Sequence, residues 1–167
     1  MMDLRSRFLE GMSRAATFVA VVTTDGPGGR DGVTVSSLTS VSADGEAPAL
    51  LACIHHQSPA AVAILKNEAF CANLLHESQQ AVAGRFAARG QRGERAARFD
   101  GQGWAPGASG QPQLAGATAA FHCRLATALL WQTHYIIVGQ VSAVDLSNEP
   151  AALLYGQRGY RKAVDLE

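Results

Sequence analysis

The chain has 167 residues, of which 47% are hydrophobic and 17% are charged, so it is predicted to fold as one domain, residues 1–167, around a substantial core. Lysine plus arginine and aspartate plus glutamate each number 14, which leaves no excess of positive charge to attract nucleic acid. The N-terminus lacks the apolar core of a signal peptide, and no apolar stretch is long enough for a transmembrane helix. The composition therefore argues against a nucleic-acid or membrane partner and predicts a soluble cytoplasmic protein.

A helix and a hairpin are predicted at the start of the chain. Apolar residues recur there at helical spacing, at Leu4, Phe8, Met12 and Ala15. We expect this amphipathic helix to end near Thr17. The β-rich run TFVAVVTTDG, the turn GPGGRDG and the strand GVTVSSLTSVS then predict a β-hairpin. The glycines of the turn do not match GxGxxG and a strand follows them, so a dinucleotide-binding loop is not indicated.

The strand GVTVSSLTSVS, residues 32–42, is unusually rich in serine and threonine. A buried strand normally carries Val, Ile or Leu at such positions, and a solvated strand carries Lys or Glu. Small hydroxyl side chains let a large group approach the backbone, and each offers a donor and acceptors. The composition therefore marks a candidate binding strand.

Strands and helices alternate through the middle of the chain. The apolar run APALLACIHH is suited to a strand that is covered on both faces. Ser58 and Pro59 are typical of an N-cap and a first helical position, so SPAAVAILKN predicts a short helix. A further strand and a further helix are predicted in AFCANLL and ESQQAVAGRFAARG.

The C-terminal half is predicted to contain a long loop and then a long hairpin. Residues 91–114 are rich in Gly, Pro and Ala around Trp104, which favours a surface loop with one helical turn at GERAARF. Two long strands follow, joined near Trp131, and PAALLYGQRGYRK closes the chain. Six or seven strands, mostly neighbours in sequence, with two or three short helices predict a mainly β fold. We expect an antiparallel β-barrel with short helices packed outside, and not a doubly wound parallel sheet.

The cysteines and the paired histidines do not predict a metal site. Cys53, Cys71 and Cys123 stand far apart in apolar runs, which indicates buried small hydrophobic residues. His55 and His56 are adjacent in a predicted strand, so we expect their side chains on opposite faces, where they could not share an ion. The sequence also lacks HExxH and clustered Cys and His residues.

His134 stands at the start of an apolar strand, beside a predicted turn. A core histidine bonded to a carbonyl group and a histidine with a functional role both fit this position. The residues alone leave the two interpretations open.

A series of motifs, in order along nearly the whole chain, resembles a known family. The motifs are FVAVVTTDG, GVTVSSLTSVSADGEAP, CIHHQSPA, FCANLL, Gln80 to Phe86, Trp104 and LLYGQRGY. They resemble those of the short-chain flavin reductases that serve as reductase components of two-component flavin-dependent monooxygenases. Three motifs depart from the family pattern: QTH stands where many members have GDH, DGEAP keeps one proline of two, and Ser58-Pro59-Ala60 replaces Ser-x-Thr.

The resemblance implies an FMN-binding split barrel that takes FMN or FAD and is reduced by NADH or NADPH. It also implies a homodimer that supplies reduced flavin to a partner flavin-dependent monooxygenase. One alternative is a protein of the same fold that retains its flavin and passes electrons to a protein or to a corrin. Another is a split-barrel interaction protein that binds no flavin.

The resemblance also implies a set of site residues. The flavin would be held by Thr34, Val35, Ser36, Ser37, Cys53, Ile54, Ser58, Ala60, Asn73, Arg85 and Phe86. Its phosphate would lie at the N-terminus of the helix opened by Ser58, where free amide groups and the helix dipole favour an anion. Arg85 would contact the phosphate, although a solvated arginine on a helix face also fits. His134 would bind the nicotinamide carboxamide, with Arg158 and Tyr160 helping to close that site.

Overall fold

In the computed structural model the chain is described over residues 3–88, 92–101 and 103–166. The α-helices are α1 (Leu4–Ser13), α2 (Pro59–Asn67), α3 (Gln80–Ala87) and α4 (Arg92–Ala96). The strands are β1 (Thr17–Phe18), β2 (Ala20–Thr24), β3 (Asp31–Val35), β4 (Thr39–Ser42), β5 (Ala49–His55), β6 (Ala69–Leu74), β7 (Trp104–Pro106), β8 (Pro112–Leu114), β9 (Ala119–Trp131), β10 (His134–Leu146), β11 (Leu153–Gly156) and β12 (Gly159–Lys162). Short 3₁₀ helices cover Glu77–Gln79 and Ala97–Phe99. None of the helices in these ranges is long and apolar enough to cross a membrane.

A seven-stranded antiparallel sheet forms the body of the fold, in the order β3-β2-β6-β9-β10-β5-β4. Its two edge strands, β3 and β4, follow one another in the chain, so the sheet curls until its edges approach. This arrangement is an open, split barrel, and the predicted mainly β barrel is confirmed. The β2–β3 hairpin and the long β9–β10 hairpin also lie where the sequence predicts them.

The hydroxyl-rich segment does not form one strand, contrary to the prediction. It divides into β3 and β4, which lie at opposite edges of the sheet. The chain crosses between the edges at residues 36–38, where Leu38 is buried in the core. Leu38 belongs to the same core cluster as Leu50 and Ile54 of β5, and this apolar burial favours a path that leaves β2 after Val35.

The apolar run that forms β5 is covered on one face within the chain, and not on both faces as predicted. Leu50, Ala52 and Ile54 are buried, and the residues between them are half-buried. The alternation follows from the two-residue period of a strand at the barrel wall. The buried face joins a core cluster that includes Phe70 and Ile137.

The segment from residue 91 to residue 114 has more structure in its described part than the predicted surface loop. It contains α4, a 3₁₀ turn and the small β7–β8 hairpin. Phe99 and Leu114 are buried in a second core cluster, and Trp104 packs against that cluster. The rings of Phe86, Phe99 and Trp104 contact one another edge to face at 5.1–5.3 Å between centroids. These aromatic contacts bury apolar surface and so stabilise a segment whose Gly and Pro content had predicted an unstructured surface loop.

The predicted N-terminal helix is confirmed, but its apolar side chains are not covered. No residue of α1 is buried, and Leu4, Phe8 and Met12 are 85%, 63% and 57% exposed. The helix is attached to the β11–β12 turn through an ion pair between Arg158 and Glu10, 2.9 Å long. An isolated helix of this length is marginally stable in water.

Candidate functional site

Two adjoining cavities lie along the edge where β3 approaches β5. The first, here called the strand cavity, has a volume of about 360 Å³ and is lined by Val33, Thr34, Val35, Ser36, Ser37, Cys53, Ile54, His55, Ser58 and His134. The second, here called the arginine cavity, has a volume of about 420 Å³ and is lined by Asp31, Gly32, Val33, His55, Gln57, Ser58, Pro59, Phe86, Ala87, Ala88, Arg95 and Arg98. Val33, His55 and Ser58 line both cavities, so the two form one groove.

Ser37 joins the two sides of the strand cavity. Its hydroxyl donates to the carbonyl oxygen of Cys53 at 3.0 Å and accepts the amide N–H of the same residue at 2.9 Å. Thr34 donates its hydroxyl to the carbonyl oxygen of Ala83 at 2.7 Å, which ties β3 to α3. Ser36 between them is exposed. Part of the serine and threonine content therefore holds the walls of the cavity in place.

The N-terminus of α2 opens into the groove. Ser58 is the N-cap in an extended conformation and Pro59 follows at the first turn, as predicted. The Ser58 side chain makes no capping hydrogen bond, so the helix end is held by backbone contacts to its carbonyl oxygen. Amide groups at a helix N-terminus and the helix dipole favour an anion at this position.

Two arginines of the 92–99 segment supply positive charge to the arginine cavity. Arg95 forms a 2.9 Å ion pair with Asp31, and Arg98 donates to the carbonyl oxygen of Ala88 at 2.5 Å. Arg98 is only 8% exposed. Burial lowers the pKa of its guanidinium, and the negative charge of Asp31 opposes that shift. A buried, hydrogen-bonded guanidinium in a cavity is suited to phosphate.

Three histidines cluster beside the strand cavity, and two of them, His55 and His134, line it. His134 is exposed at the start of β10 and lies directly opposite His55 in the register of the two strands. The rings of His55 and His134 are 5.1 Å apart, and the rings of His55 and His56 stack at 5.0 Å. The exposure of His134 contradicts the core interpretation. The expectation that His55 and His56 point to opposite faces is also wrong, because β5 ends at His55 and a turn begins at His56.

Comparison with known proteins identifies the fold family. The model of the flavin reductase like domain matches residues 12–163. The chain belongs to the flavin reductase like domain family. Its sequence is 40% identical over 156 residues to FMN reductase (NADH) RutF 2 of Methylorubrum extorquens, covering 93% of this chain and 88% of that protein.

Two solved structures are similar to this flavin reductase like domain. BorF, the flavin reductase component of a bacterial two-component tryptophan halogenase, superposes with a TM-score of 0.85 at 34% identity, covering 96% of this chain and 99% of that one. The NADH:FAD oxidoreductase SgcE6 of Streptomyces globisporus, in complex with NAD and FAD fragments, has a TM-score of 0.87 at 25% identity, covering 98% and 96% of the two chains.

Eight of the eleven residues predicted to hold flavin line the groove of this flavin reductase like domain. They are Thr34, Val35, Ser36, Ser37, Cys53, Ile54, Ser58 and Phe86. Ala60 is buried on α2 and lines neither cavity. Arg85 is exposed on α3 and also lines neither cavity.

Asn73 is a buried structural residue instead of the predicted flavin contact. Its side-chain amide donates to the carbonyl oxygen of Val21 at 3.1 Å and to the Thr23 hydroxyl at 3.2 Å. Its side-chain oxygen accepts the amide N–H of Leu114 at 2.8 Å. An amide that joins β2, β6 and β8 in this way satisfies the buried polar groups of the barrel.

Within one chain, Arg158 and Tyr160 do not line the cavity that His134 lines. Arg158 pairs with Glu10 of α1, and Tyr160 lines a separate depression beside Leu153. Tyr160 contacts Tyr155 edge to face at 5.5 Å, and burial raises the pKa of its hydroxyl.

The two arginines that line the arginine cavity, Arg95 and Arg98, are not among the residues predicted from the sequence, which include Arg85 instead. A signal was present in GERAARF, because Arg95 and Arg98 stand three residues apart and so share one side of a helical turn. The prediction of buried cysteines holds for Cys71 and Cys123, whereas Cys53 is half-buried in the strand cavity. Within the described ranges, no group of three or more His, Cys, Asp or Glu side chains is arranged to hold a metal ion.

Proposed function

We propose that this chain is an oxidoreductase that uses NADH or NADPH to reduce FMN or FAD. The observation that carries the proposal is the groove of this flavin reductase like domain, which is lined by hydroxyl and backbone groups at one end and by buried arginine at the other. A flat ring system with alternating donors and acceptors needs short polar groups at close range, and its phosphate needs a cation. The residues present fit a flavin nucleotide at both ends.

The strand cavity holds the isoalloxazine ring in this proposal. The backbone of Val35, Ser36 and Ser37 lies along one side, and Cys53 with Ile54 forms the other side. Bound flavin supplies the hydride acceptor, and the chain's own residues orient it and exclude water. The bonds that Ser37 makes to Cys53 keep the two sides at a constant separation.

The phosphate of the flavin lies in the arginine cavity, between the N-terminus of α2 and Arg98. Ser58 offers a hydroxyl that is not used for capping. Arg98 provides a buried cation, and Arg95 is held beside it by Asp31. This placement moves the phosphate contact from Arg85, which the sequence favoured, to the 92–99 segment.

His134 orients the nicotinamide at the mouth of the strand cavity. It is exposed there, and its Nδ1 lies 2.9 Å from the Thr133 hydroxyl, which holds the ring at one nitrogen. Arg158 and Tyr160 lie elsewhere in the same chain, so the nicotinamide contact is assigned to His134 alone. No general acid or base is needed for hydride transfer between two rings held face to face.

Two assembly proposals accompany the enzymatic one. The uncovered apolar side chains of α1 support a homodimer in which a second copy covers them. A partner flavin-dependent monooxygenase that takes up the reduced flavin is supported by the similarity to BorF, which is one component of a two-component system.

The test is anaerobic mixing of the protein with NADH and FMN. We expect the visible absorbance of the flavin to bleach in proportion to NADH oxidised, and the reduced flavin to pass through a dialysis membrane. A protein that binds FMN without bleaching on addition of either NADH or NADPH would contradict the proposal. Flavin that bleaches but stays with the protein would favour an electron carrier that retains its flavin.

A further inference from the structure

A buried histidine outside the groove links the β7–β8 hairpin to the main sheet. His122, on β9, is fully buried. Its Nε2 lies 3.0 Å from a carboxylate oxygen of Asp145 on β10, and its Nδ1 lies 3.0 Å from the hydroxyl of Ser109, in the turn of the hairpin. An ionised carboxylate can only accept, so Nε2 carries a proton and donates to Asp145. The ring is therefore bonded to the sheet through one nitrogen and to the hairpin through the other.

The contact with His122 holds the end of the hairpin at which β7 meets its turn. The β8 strand is attached to the sheet elsewhere, for example by the amide N–H of Leu114, which donates to the side-chain oxygen of Asn73 at 2.8 Å. The β7 strand pairs with β8 alone. A Cβ atom at Gly107, directly after β7, would overlap His122 Cε1, so the backbone packs against the ring itself. The position of β7 therefore depends on His122.

Trp104, the first residue of β7, connects the hairpin to the arginine cavity. Its ring contacts those of Phe86 and Phe99, each at 5.3 Å between centroids. The indole nitrogen is buried and makes no hydrogen bond to a described residue, so packing alone fixes the ring. Phe86 lines the arginine cavity, and Phe99 directly follows Arg98 in the chain. A displacement of the hairpin would therefore reach the wall of that cavity.

The packing around Phe86 leaves little room for the ring to move. A Cβ atom at Gly32, which also lines the arginine cavity, would lie 2.9 Å from Phe86 Cε1. Closely packed side chains transmit a displacement to their neighbours. Among the described residues of the hairpin, none lines either cavity, and the walls of the strand cavity are joined separately by Ser37 and Cys53. The hairpin therefore bears on the phosphate end of the groove and not on its isoalloxazine end.

We propose that Ser109 and His122 are positioning residues for the flavin phosphate. Their contact holds the β7–β8 hairpin, and the hairpin keeps Trp104 packed so that Phe86 and Arg98 stay in place in the arginine cavity. The inference rests on the proposed function for the position of the phosphate. Because neither Ser109 nor His122 lines the groove, their effect on the ligand passes through packed side chains.

The test compares FMN and riboflavin binding in variants at Ser109. Ser109→Ala should raise the Kd of FMN about fivefold and that of riboflavin less than about twofold, because the contact of Arg98 serves the phosphate alone. Ser109→Thr keeps the hydroxyl and should bind both ligands as the wild type does. Ser142→Ala is the matched control, since the Ser142 hydroxyl donates to the carbonyl oxygen of His122 at 3.1 Å from β10 and does not join the hairpin. It should leave the ratio of the two affinities unchanged.

A second measurement follows the hairpin directly in flavin-free protein. The chain has two tryptophans, so Trp131→Phe leaves Trp104 as the fluorescent reporter. In that background, Ser109→Ala should make Trp104 more accessible to quenching by acrylamide. Gly107→Ala displaces the hairpin by a steric route, and it should raise both the quenching and the FMN-selective loss.

Three results would overturn the inference. They are an unchanged ratio of FMN to riboflavin affinity in Ser109→Ala, an equal selective loss in Ser142→Ala, and unchanged quenching in both Ser109→Ala and Gly107→Ala. Selective loss of FMN in Arg98→Met with none in Ser109→Ala rejects the inference and keeps the proposed phosphate site.

The proposed function can fail independently of this inference. Selective loss of FMN in Ser109→Ala, in a protein whose bound flavin is reduced by neither NADH nor NADPH, keeps the inference and rejects the proposed activity. A wild-type protein that binds FMN no better than riboflavin rejects both.

Discussion

Ser37 links the edge of the split barrel to Cys53 of β5 through two hydrogen bonds. Its hydroxyl donates to the carbonyl oxygen of Cys53 and accepts the amide N–H of the same residue. The contact connects residues 16 positions apart at the place where the sheet would otherwise open. The same contact sets the width of the strand cavity. Stability and flavin affinity are therefore linked at Ser37.

Ser37→Ala should lower both properties together. The substitution leaves the amide and carbonyl groups of Cys53 without their partner, and an unsatisfied polar group in a partly buried position costs about 1–3 kcal/mol. We expect a lower free energy of unfolding and a weaker FMN affinity, measured by urea denaturation and by fluorescence quenching of FMN. Ser36→Ala, at an exposed position beside it, is the control and should change stability little. A stable Ser37→Ala protein with unchanged flavin affinity would contradict the link.

Arg98→Met should weaken FMN binding more than riboflavin binding. Methionine keeps part of the apolar stem but removes the charge, and a charged hydrogen bond to phosphate contributes about 1.5–3 kcal/mol. Riboflavin lacks the phosphate, so its affinity corrects for any general loosening of the cavity. Arg85→Ala provides the comparison on α3, where the side chain is exposed, and we expect no selective effect. Selective loss of FMN in Arg85→Ala with none in Arg98→Met would restore the assignment made from the sequence.

His134→Ala should impair the use of NADH and leave the fold intact. The residue is exposed, so its removal creates no cavity, and the melting temperature should stay close to that of the wild type. Steady-state kinetics should show a higher KM for NADH, a lower kcat, or both, while FMN affinity is preserved. Undiminished turnover with NADH would remove His134 from the nicotinamide site.

Cys53 should be the thiol that reacts with a disulfide reagent in the folded protein. Burial raises the pKa of Cys71 above its usual range and that of Cys123 to about 12, which keeps both in the unreactive thiol form near neutral pH. Cys53 is half-buried and lines the strand cavity. We expect one reactive thiol per chain, lost in Cys53→Ser and protected by FMN. Modification at the same rate with and without saturating FMN would argue against flavin in the strand cavity.

Phe8→Asp should convert the proposed homodimer into a monomer. Phe8 is 63% exposed in one chain, and a carboxylate there would be buried without a partner on association. Sedimentation equilibrium gives the mass directly. Val62→Asp is the control, since Val62 is an exposed apolar residue of α2, and it should leave the assembly unchanged. A wild-type protein that sediments as a monomer would remove the basis of the dimer proposal.

Several features of this protein were determined by the sequence alone. The apolar spacing at Leu4, Phe8 and Met12 predicted α1, Ser58 and Pro59 predicted the start of α2, and the position of Trp131 predicted the turn of the long hairpin. Each depends on residues within a few positions of one another, where capping, turn formation and periodicity act. The order of the motifs along the chain also sufficed to predict the family.

The tertiary structure decided which groups of the candidate site come together. Sequence spacing does not show that the Ser37 hydroxyl hydrogen-bonds to Cys53, or that the side-chain amide of Asn73 is fully hydrogen-bonded inside the barrel. It also does not show that Arg98 lines the groove and Arg85 does not. It also predicted His55 and His56 on opposite faces, whereas the end of β5 and the bond from His56 to Thr133 bring their rings together. These outcomes depend on contacts between distant segments, because burial and the satisfaction of polar groups are settled only when the sheet has closed.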